Sequence, residues 1–301
     1  MKIGYIGLGR MGLSMVHLLK DKGHEVIATD KSSDARSAAE KLGAVVVPTA
    51  TDVVKDMASP KVVWIMVPHQ FVDEVIEEIT PHLAQGDIVI DGGNSPYRES
   101  MRRAGALKEK GVHYLDAGIS GGPEGARSGS CVMIGGDRDV FEGVEELFRD
   151  IAAPNAYKYL GTSGAGHFVK MVHNGIEYGM MEAIAEGFNI MEEAEFDLNL
   201  TDVADIYQHE SVVTSRLIGW LKKGFDTYGN DLKEIGGSAG ASGEGQWTID
   251  VAKELNVDAG SIQHALDARI ESQKNPSFGG KLIQTMRNMF GGHDGRTGIS
   301  S

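Results

Sequence analysis

Cysteine is almost missing from this chain: there is one, Cys131, in 301 residues. A lone thiol excludes an internal disulfide and fits a reducing compartment. It lies in the apolar run Cys131–Ile134 and reads as a buried strand residue rather than a nucleophile. Positive charge is also scarce, and the net charge of −14 argues against nucleic acid or an anionic membrane as partner. A small anionic substrate is compatible with that charge, because a local cluster of Arg and Lys can reverse the field. Long hydrophobic runs are missing too. The longest, Val62–Val67, is far too short to cross a bilayer. The chain opens directly on a strand pattern, Lys2–Ile6, without the features of a signal peptide, so a cytoplasmic protein is expected. There is no internal repeat and no low-complexity tract.

Glycine, in contrast, is abundant: 40 residues, well above the usual share of about 7 %. Much of the excess sits in pairs such as Gly92-Gly93, Gly121-Gly122 and Gly236-Gly237, where backbone must bend sharply or approach a ligand. The length is natural for two domains. Up to about residue 162, short apolar runs alternate with helical stretches. The strands expected are Lys2–Ile6, Glu25–Thr29, Ala44–Val46, Val62–Met66, Ile88–Asp91, His113–Ala117 and Cys131–Ile134. Such alternation signals βαβ units and a mainly parallel sheet. Beyond it only helix-length segments follow, near 165–194, 202–223, 244–255, 259–273 and 277–289, with Thr201 and Asp258 as N-caps. The predicted fold is therefore an α/β Rossmann-type doubly wound sheet followed by an all-α C-terminal domain. Residues 1–163 would form the dinucleotide-binding domain and 164–301 the all-helical substrate and oligomerisation domain. The stretch 236–243 reads as a flexible connection or a binding loop.

Gly7-Leu8-Gly9-Arg10-Met11-Gly12 follows a predicted strand and opens a predicted helix, the context a dinucleotide fingerprint requires. The first Gly permits the tight turn, the second lets backbone approach the pyrophosphate, and the third lets helix and strand pack closely. The helix N-terminus offers N–H groups to the phosphates. Asp30 closes the second strand, where a carboxylate accepts hydrogen bonds from the ribose hydroxyls and repels a 2′-phosphate. NAD is therefore expected over NADP, with Lys31 softening the repulsion. Val67 and Pro68, at the carboxyl edge of the sheet, are expected to line the cofactor. Two further loops follow apolar strands, Asp91-Gly-Gly-Asn94-Ser95 and Ser120-Gly121-Gly122. Both combine glycines with small polar groups suited to a carboxylate or hydroxyls.

Lys170, His173, Asn174 and Glu177 stand at i, i+3, i+4 and i+7, so at about 100° per residue they share one helix face. Val169, Val172, Ile176 and Ala183 fall opposite and are expected to dock the helix. Taken alone, a Lys and a Glu at this spacing usually describe a solvated face rather than an acid/base pair. The glycine loops and the cofactor motif favour the pair.

Across nearly its whole length the chain resembles the 6-phosphogluconate dehydrogenases, in their short bacterial form. The likeness rests on Gly7–Gly12, Asp91–Ser95, Ser120–Gly122, Gly164–Tyr178, Gly245–Thr248 and Arg287–His293. It implies oxidative decarboxylation of 6-phospho-D-gluconate to D-ribulose 5-phosphate and CO₂, a step of the pentose phosphate pathway, without a metal. Carried over by position, Lys170 would be the general base and Glu177 the acid. Asn94, Ser120, Gly121, Gly122, His173 and Asn174 would hold the sugar acid, with Asn94 also beside the cofactor. Tyr178, Gln246, Thr248 and Arg269 would hold the 6-phosphate. Arg287 and His293 would reach a neighbouring subunit's site in a homodimer or homotetramer. Gln246 departs from the family, where this position is usually basic. Arg269, Arg287 and Lys281 would have to compensate, or the substrate is an unphosphorylated acid. The roles are chemically coherent. A Lys ammonium normally holds its proton to about pH 10.4, and a closed crevice beside a cationic nicotinamide would favour the neutral amine. The alternative function is a β-hydroxyacid dehydrogenase acting on a smaller acid without loss of CO₂.

Overall fold

The structure, a computed structural model, describes residues 1–241 and 243–291. The chain divides into two units, Met1–Lys170 and Met171–Ser301. Among the described residues no helix is long and apolar enough to cross a membrane.

The first unit is built on one eight-stranded sheet. Its strands are β1 (Lys2–Ile6), β2 (Glu25–Thr29), β3 (Val45–Val46), β4 (Val62–Ile65), β5 (Ile88–Asp91), β6 (His113–Ser120), β7 (Ser130–Gly136) and β8 (Ala152–Gly161). They lie in the order β3-β2-β1-β4-β5-β6-β7-β8. Every pairing is parallel except β6 with β7. The order reverses between β1 and β4, which is the switch point where such sheets take ligands. The helices between the strands are α1 (Arg10–Asp21), α2 (Ser33–Lys41), α3 (Ala50–Lys55), α4 (Val72–Ile79), α5 (Tyr97–Lys108), α6 (Gly122–Ser128), α7 (Arg138–Gly143) and α8 (Glu145–Ile151). The sheet is buried on both faces, as its near-continuous apolar strands demand. Tyr5, Trp64, Ile90, Leu115 and Ala117 belong to the core on one side, with Leu19 and Phe148 from α1 and α8. Val63, Ile65, Val89 and Tyr114 belong to the other, with Val53 and Ile79 from α3 and α4. Each fully buried side chain of that size contributes about 1.5–3 kcal/mol.

Seven strands stand where the sequence predicts them, but β8 was not expected. It is an edge strand, mostly half-exposed, containing Pro154 and a positive φ at Asn155, and its pairing with β7 is irregular. An edge tolerates this, and it erases the apolar pattern. Cys131 is in β7 as predicted but is exposed, not buried. It lies between the buried Ser130 and Val132, and successive side chains of a strand point to opposite faces.

The long helix α9 (Ala165–Glu192) starts in the first unit and continues into the second. The second unit adds α10 (Leu200–Tyr207), α11 (Arg216–Tyr228), α12 (Glu244–Glu254), α13 (Gly260–Ser272) and α14 (Phe278–Gly291). Met181, Ala185 and Phe188 of α9 pack with Ala204, Ile218, Phe225, Ile283 and Met286. The single helix expected over 202–223 is two. Between them the Ser211 and Thr214 hydroxyls donate to the Tyr207 carbonyl at 2.6 and 2.8 Å, and Ser215 caps α11 through the Ile218 N–H. Serine and threonine compete for backbone groups in this way and end helices. The caps also differ from expectation. Asn199, not Thr201, caps α10: the helix begins at Leu200, and the Asn199 amide oxygen accepts the Thr201 N–H at 3.1 Å. Ala259, not Asp258, precedes α13, without a side-chain cap.

The buried face of α9 corrects the sequence reading. Met171, Tyr178, Met181, Ala185 and Phe188 are buried, whereas Val169 and Ile176, offered as docking residues, are exposed, with Met180 and Ile190 alongside. Val172 is half-buried and Ala183 exposed. Two apolar stripes run along this helix, so periodicity alone does not say which one packs inward.

Candidate active site

In the first unit the strand ends bring the predicted cofactor residues together. Parallel registers place Ile6 beside Ile65 and Ile65 beside Asp91, so the loops that follow emerge from the same edge. Gly7 has a φ of 105°, a conformation that glycine adopts without strain. A Cβ on Gly12 would collide with the Gly7 carbonyl, which forces the first turn of α1 against β1, whereas a Cβ on Gly9 would meet nothing within 4 Å. Gly9 is the N-cap of α1 and provides no side-chain cap. The turn thus presents backbone at an open position on a helix N-terminus, a cradle that fits a pyrophosphate. Asp30 is half-buried. Its Oδ2 accepts the Leu8 N–H at 2.6 Å and its Oδ1 the Ser32 N–H at 2.8 Å. The carboxylate therefore belongs to the glycine turn itself. Lys31 points elsewhere: its ammonium pairs with Glu74 at 3.1 Å over the Phe71 ring. Arg10 is exposed, Met11 is half-buried at the start of α1, and Pro68 is exposed after Val67.

The loop after β5 is held from below by a polar network that the sequence reading missed. Asp91 is fully buried. Its Oδ1 accepts the Gly93 N–H at 3.0 Å, and its Oδ2 accepts Ser95 at 2.7 Å, Tyr114 at 2.9 Å and Arg103 at 3.3 Å. Arg103 in turn grips Asp73 at 2.9 and 3.1 Å, and that hydrogen bonding holds the Asp73 carboxyl down to about 2. The network fixes the backbone on either side of Asn94. The signal was legible as a buried acid ending an apolar strand.

β6 outruns β5. Asp116 pairs with Asp91, the last residue of β5, and β6 continues to Ser120 against β7 alone. Ser120 is half-buried at the strand end, and Gly121 (φ 131°) and Gly122 (φ 64°) turn the chain into α6. Lys170 is 8 % exposed.

The second unit carries the remaining predicted residues. Glu177 and His173 approach within 3.8 Å, and His173 Nδ1 lies 3.1 Å from Asn174 Oδ1. Tyr178 is buried, and the Arg269 guanidinium lies 3.4 Å over its ring. Arg269 is 3 % exposed. It donates to the Gly240 carbonyl at 3.3 Å and to Met181 Sδ at 3.2 Å, and its Nε has no hydrogen-bond partner among the described residues. Burial pushes Arg269 below its ordinary value, and the nearby charge of Arg287 adds to that; burial lowers Arg287 as well. Glu177 lies within electrostatic reach of both arginines, and the buried Glu244 within reach of Arg287. Two buried guanidiniums beside a phenol are chemically suited to an anion of double charge.

Ordered contacts hold the glycine-rich stretch here. Ala239 exchanges hydrogen bonds with Ser272 and Gln273 on α13, and Gly240 would place a Cβ 3.4 Å from Arg287 Nη1. Thr248 is buried, its hydroxyl 2.9 and 2.8 Å from the Met171 and Glu244 carbonyls. Gln246 is exposed and donates to Asp250 on its own helix, and Lys281 donates to the Asp231 carbonyl. Of the predicted phosphate residues, then, Tyr178 and Arg269 are brought together, Thr248 gives its hydroxyl to backbone carbonyls, and Arg287, expected to reach a neighbouring subunit's site, lies near Arg269 and Tyr178 of its own chain. Gln246 and Lys281 are engaged elsewhere, and His293 lies outside the described residues. Glu182, Glu186 and His264 also converge, with ligand atoms within 4.8 Å, at largely exposed positions.

A dinucleotide cradle at the switch point of a doubly wound sheet, followed by a helix carrying a buried lysine, defines a nicotinamide-dependent dehydrogenase. Residues 2–161 match the family model described as the NAD binding domain of 6-phosphogluconate dehydrogenase, and residues 166–277 match that enzyme's C-terminal domain. The chain belongs to the 6-phosphogluconate dehydrogenase family. It is 44 % identical to the Bacillus subtilis protein YqeC, over 97 % of this chain and 98 % of that one. It is 38 % identical to the NAD(+)-dependent, decarboxylating 6-phosphogluconate dehydrogenase of Haloferax volcanii, over 98 % of each. The Plasmodium falciparum 6-phosphogluconate dehydrogenase structure matches with a TM-score of 0.79 at 33 % identity, covering 90 % of this chain and 62 % of that longer one. A Mycobacterium tuberculosis 3-hydroxyisobutyrate dehydrogenase, at 23 % identity and a TM-score of 0.73 over 95 % of this chain and 99 % of that one, shares the fold.

Proposed function

We propose that this chain oxidises 6-phospho-D-gluconate to D-ribulose 5-phosphate and CO₂ with reduction of NAD. Residues 1–163 would serve the dinucleotide and 164–301 the sugar acid. The observation that supports the substrate is the cluster of Arg269 of α13 and Arg287 of α14 about Tyr178, which is on the helix that also bears Lys170. The two arginines supply the charge that Gln246 does not.

Lys170, as the free amine, accepts the C3 hydroxyl proton. Gly7–Gly12 and Asp30 would hold the dinucleotide, which would supply the acceptor for the C3 hydride. Lys170 then returns its proton to the ketone oxygen as the bond to the carboxylate breaks and CO₂ leaves. Glu177 delivers a proton to C1 of the resulting enediol while Lys170 takes the proton from its C2 hydroxyl, which becomes the ketone of the product. Asn94, Ser120, Gly121, Gly122, His173 and Asn174 hold the carboxylate and hydroxyls. A β-keto acid loses CO₂ once its carbonyl is protonated, so these steps need no Lewis acid. Purified protein supplied with 6-phosphogluconate and NAD should yield reduced cofactor and CO₂ in equal amounts. Reduction without CO₂ would instead indicate a simple β-hydroxyacid dehydrogenase.

The preference for NAD over NADP rests on Asp30. Asp30→Asn keeps one acceptor for the glycine turn but removes the charge, and hydrogen bonds to a charged group are worth about 1.5–3 kcal/mol. The ratio of kcat/KM for NAD over that for NADP should fall by about tenfold or more. An unchanged ratio would remove Asp30 from cofactor choice. A homodimer or homotetramer is part of this reading, supported by the outward apolar stripe Val169, Ile176, Met180 and Ile190 on α9. A cytoplasmic setting is supported by the single cysteine.

A further inference from the structure

We propose that Asp116 and Gly118 are positioning residues that set Lys170 in place relative to Ser120, an inference that rests on Lys170 being the base. On β6 the positions 116, 118 and 120 alternate onto one face. Leu115, Ala117 and Ile119 take the other and belong to the core there. The strand face toward α9 therefore carries no apolar packing residue at these positions.

Asp116 is fully buried. Its Oδ1 accepts the Gly164 N–H at 2.6 Å and its Oδ2 the His167 N–H at 2.9 Å. These N–H groups belong to the turn that opens α9, whose donors a helix cannot satisfy itself. The cap comes from a strand rather than from the preceding loop, so it ties the helix start to the sheet. A carboxylate holding two separate donors fixes rotation about the helix axis as well as position. Gly135, opposite Asp116 on β7, makes the slot: a Cβ there would lie 2.8 Å from both Asp116 oxygens and 2.7 Å from the Gly166 N. One turn on, a Cβ on Gly118 would run into the Lys170 Cβ and stand 3.0 Å from the Gly166 carbonyl. Neither contact is the far end of a flexible chain, so any side chain at 118 must push the helix away. His167, 1 % exposed, adds a tether through Nδ1 to the Ser100 hydroxyl of α5 at 2.6 Å. Cap, seat and substrate ligand are thus spaced two residues apart on one strand.

Misplacing a reacting group by 1 Å can cost on the order of 10²-fold in rate. Gly118→Ala and Asp116→Ala should each lower kcat by about 30-fold or more, while KM and the dissociation constant for NAD change less than about threefold. Asp116→Asn, which keeps one acceptor but points an amide at the second donor, should fall between Asp116→Ala and wild type. Leu115→Ala, on the core side of the same strand, lowers the melting temperature without touching α9 and should keep kcat within about twofold. Folded Gly118→Ala or Asp116→Ala protein with more than half the wild-type kcat would overturn the proposal, as would an equal loss in Leu115→Ala. If these variants do not fold, amide hydrogen exchange on the wild type decides. The Gly164 and His167 amides should be protected like those of the sheet, and exchange at the rate of a frayed helix end would overturn it. Wild type that fails to turn over 6-phosphogluconate refutes the functional reading instead.

Discussion

Lys170→Met is expected to leave a folded protein that binds NAD normally and turns over 6-phosphogluconate about 10²- to 10⁴-fold more slowly, the range for losing a general acid–base. Methionine is unbranched and of similar length, so it fills the space of a side chain that is 8 % exposed. It keeps the Cβ that sits against Gly118 and removes only the amine. In the proposed reading Gly7–Gly12 and Asp30, at other strand ends, hold the dinucleotide, so its dissociation constant, measured by fluorescence titration, should change less than about twofold. A tenth of the wild-type rate surviving in this variant would rule Lys170 out as the base.

Arg269→Met should act on the other kinetic constant. Removing one charge from a buried, hydrogen-bonded ionic contact costs about 2–5 kcal/mol, so KM for 6-phosphogluconate should rise by about 30-fold or more. Oxidation of unphosphorylated gluconate, slow in both proteins, should be little altered. Thermal stability without substrate should not fall. The guanidinium is buried with an unsatisfied Nε, is pushed down by burial and feels the charge of Arg287, and methionine relieves all three. Equal rises in KM for the two sugar acids would show that Arg269 does not read the phosphate.

The cofactor end of the molecule was legible because local chemistry dictates it. A tight turn with φ 105° at Gly7, a helix pressed on its strand at Gly12 and an acid closing β2 leave their marks within about thirty residues of sequence. The four polar positions of α9 were legible as a set, but their orientation was not. Both stripes of that helix are apolar, and only tertiary packing chose Met171, Tyr178, Met181 and Phe188 for the interior. The arginine cluster was half-legible. Likeness of motif named Tyr178 and Arg269 but sent Arg287 to a neighbouring subunit, and nothing local says that Gln246 turns to Asp250 while Gly240 comes to Arg269. The supports beneath the loops, Asp91 with Arg103 and Asp116 with α9, join residues 12 and 48 or more apart, and such pairings are invisible to a window of a few residues.

The alternation along β6 has a consequence for how this enzyme can change. A single codon gained or lost between Asp116 and Ser120 would invert the strand's two sides, carrying the acid into the hydrocarbon interior and a leucine or isoleucine toward the reaction. Variation in substrate should therefore accumulate by point replacement and in the flanking turns, while the length of this strand stays frozen.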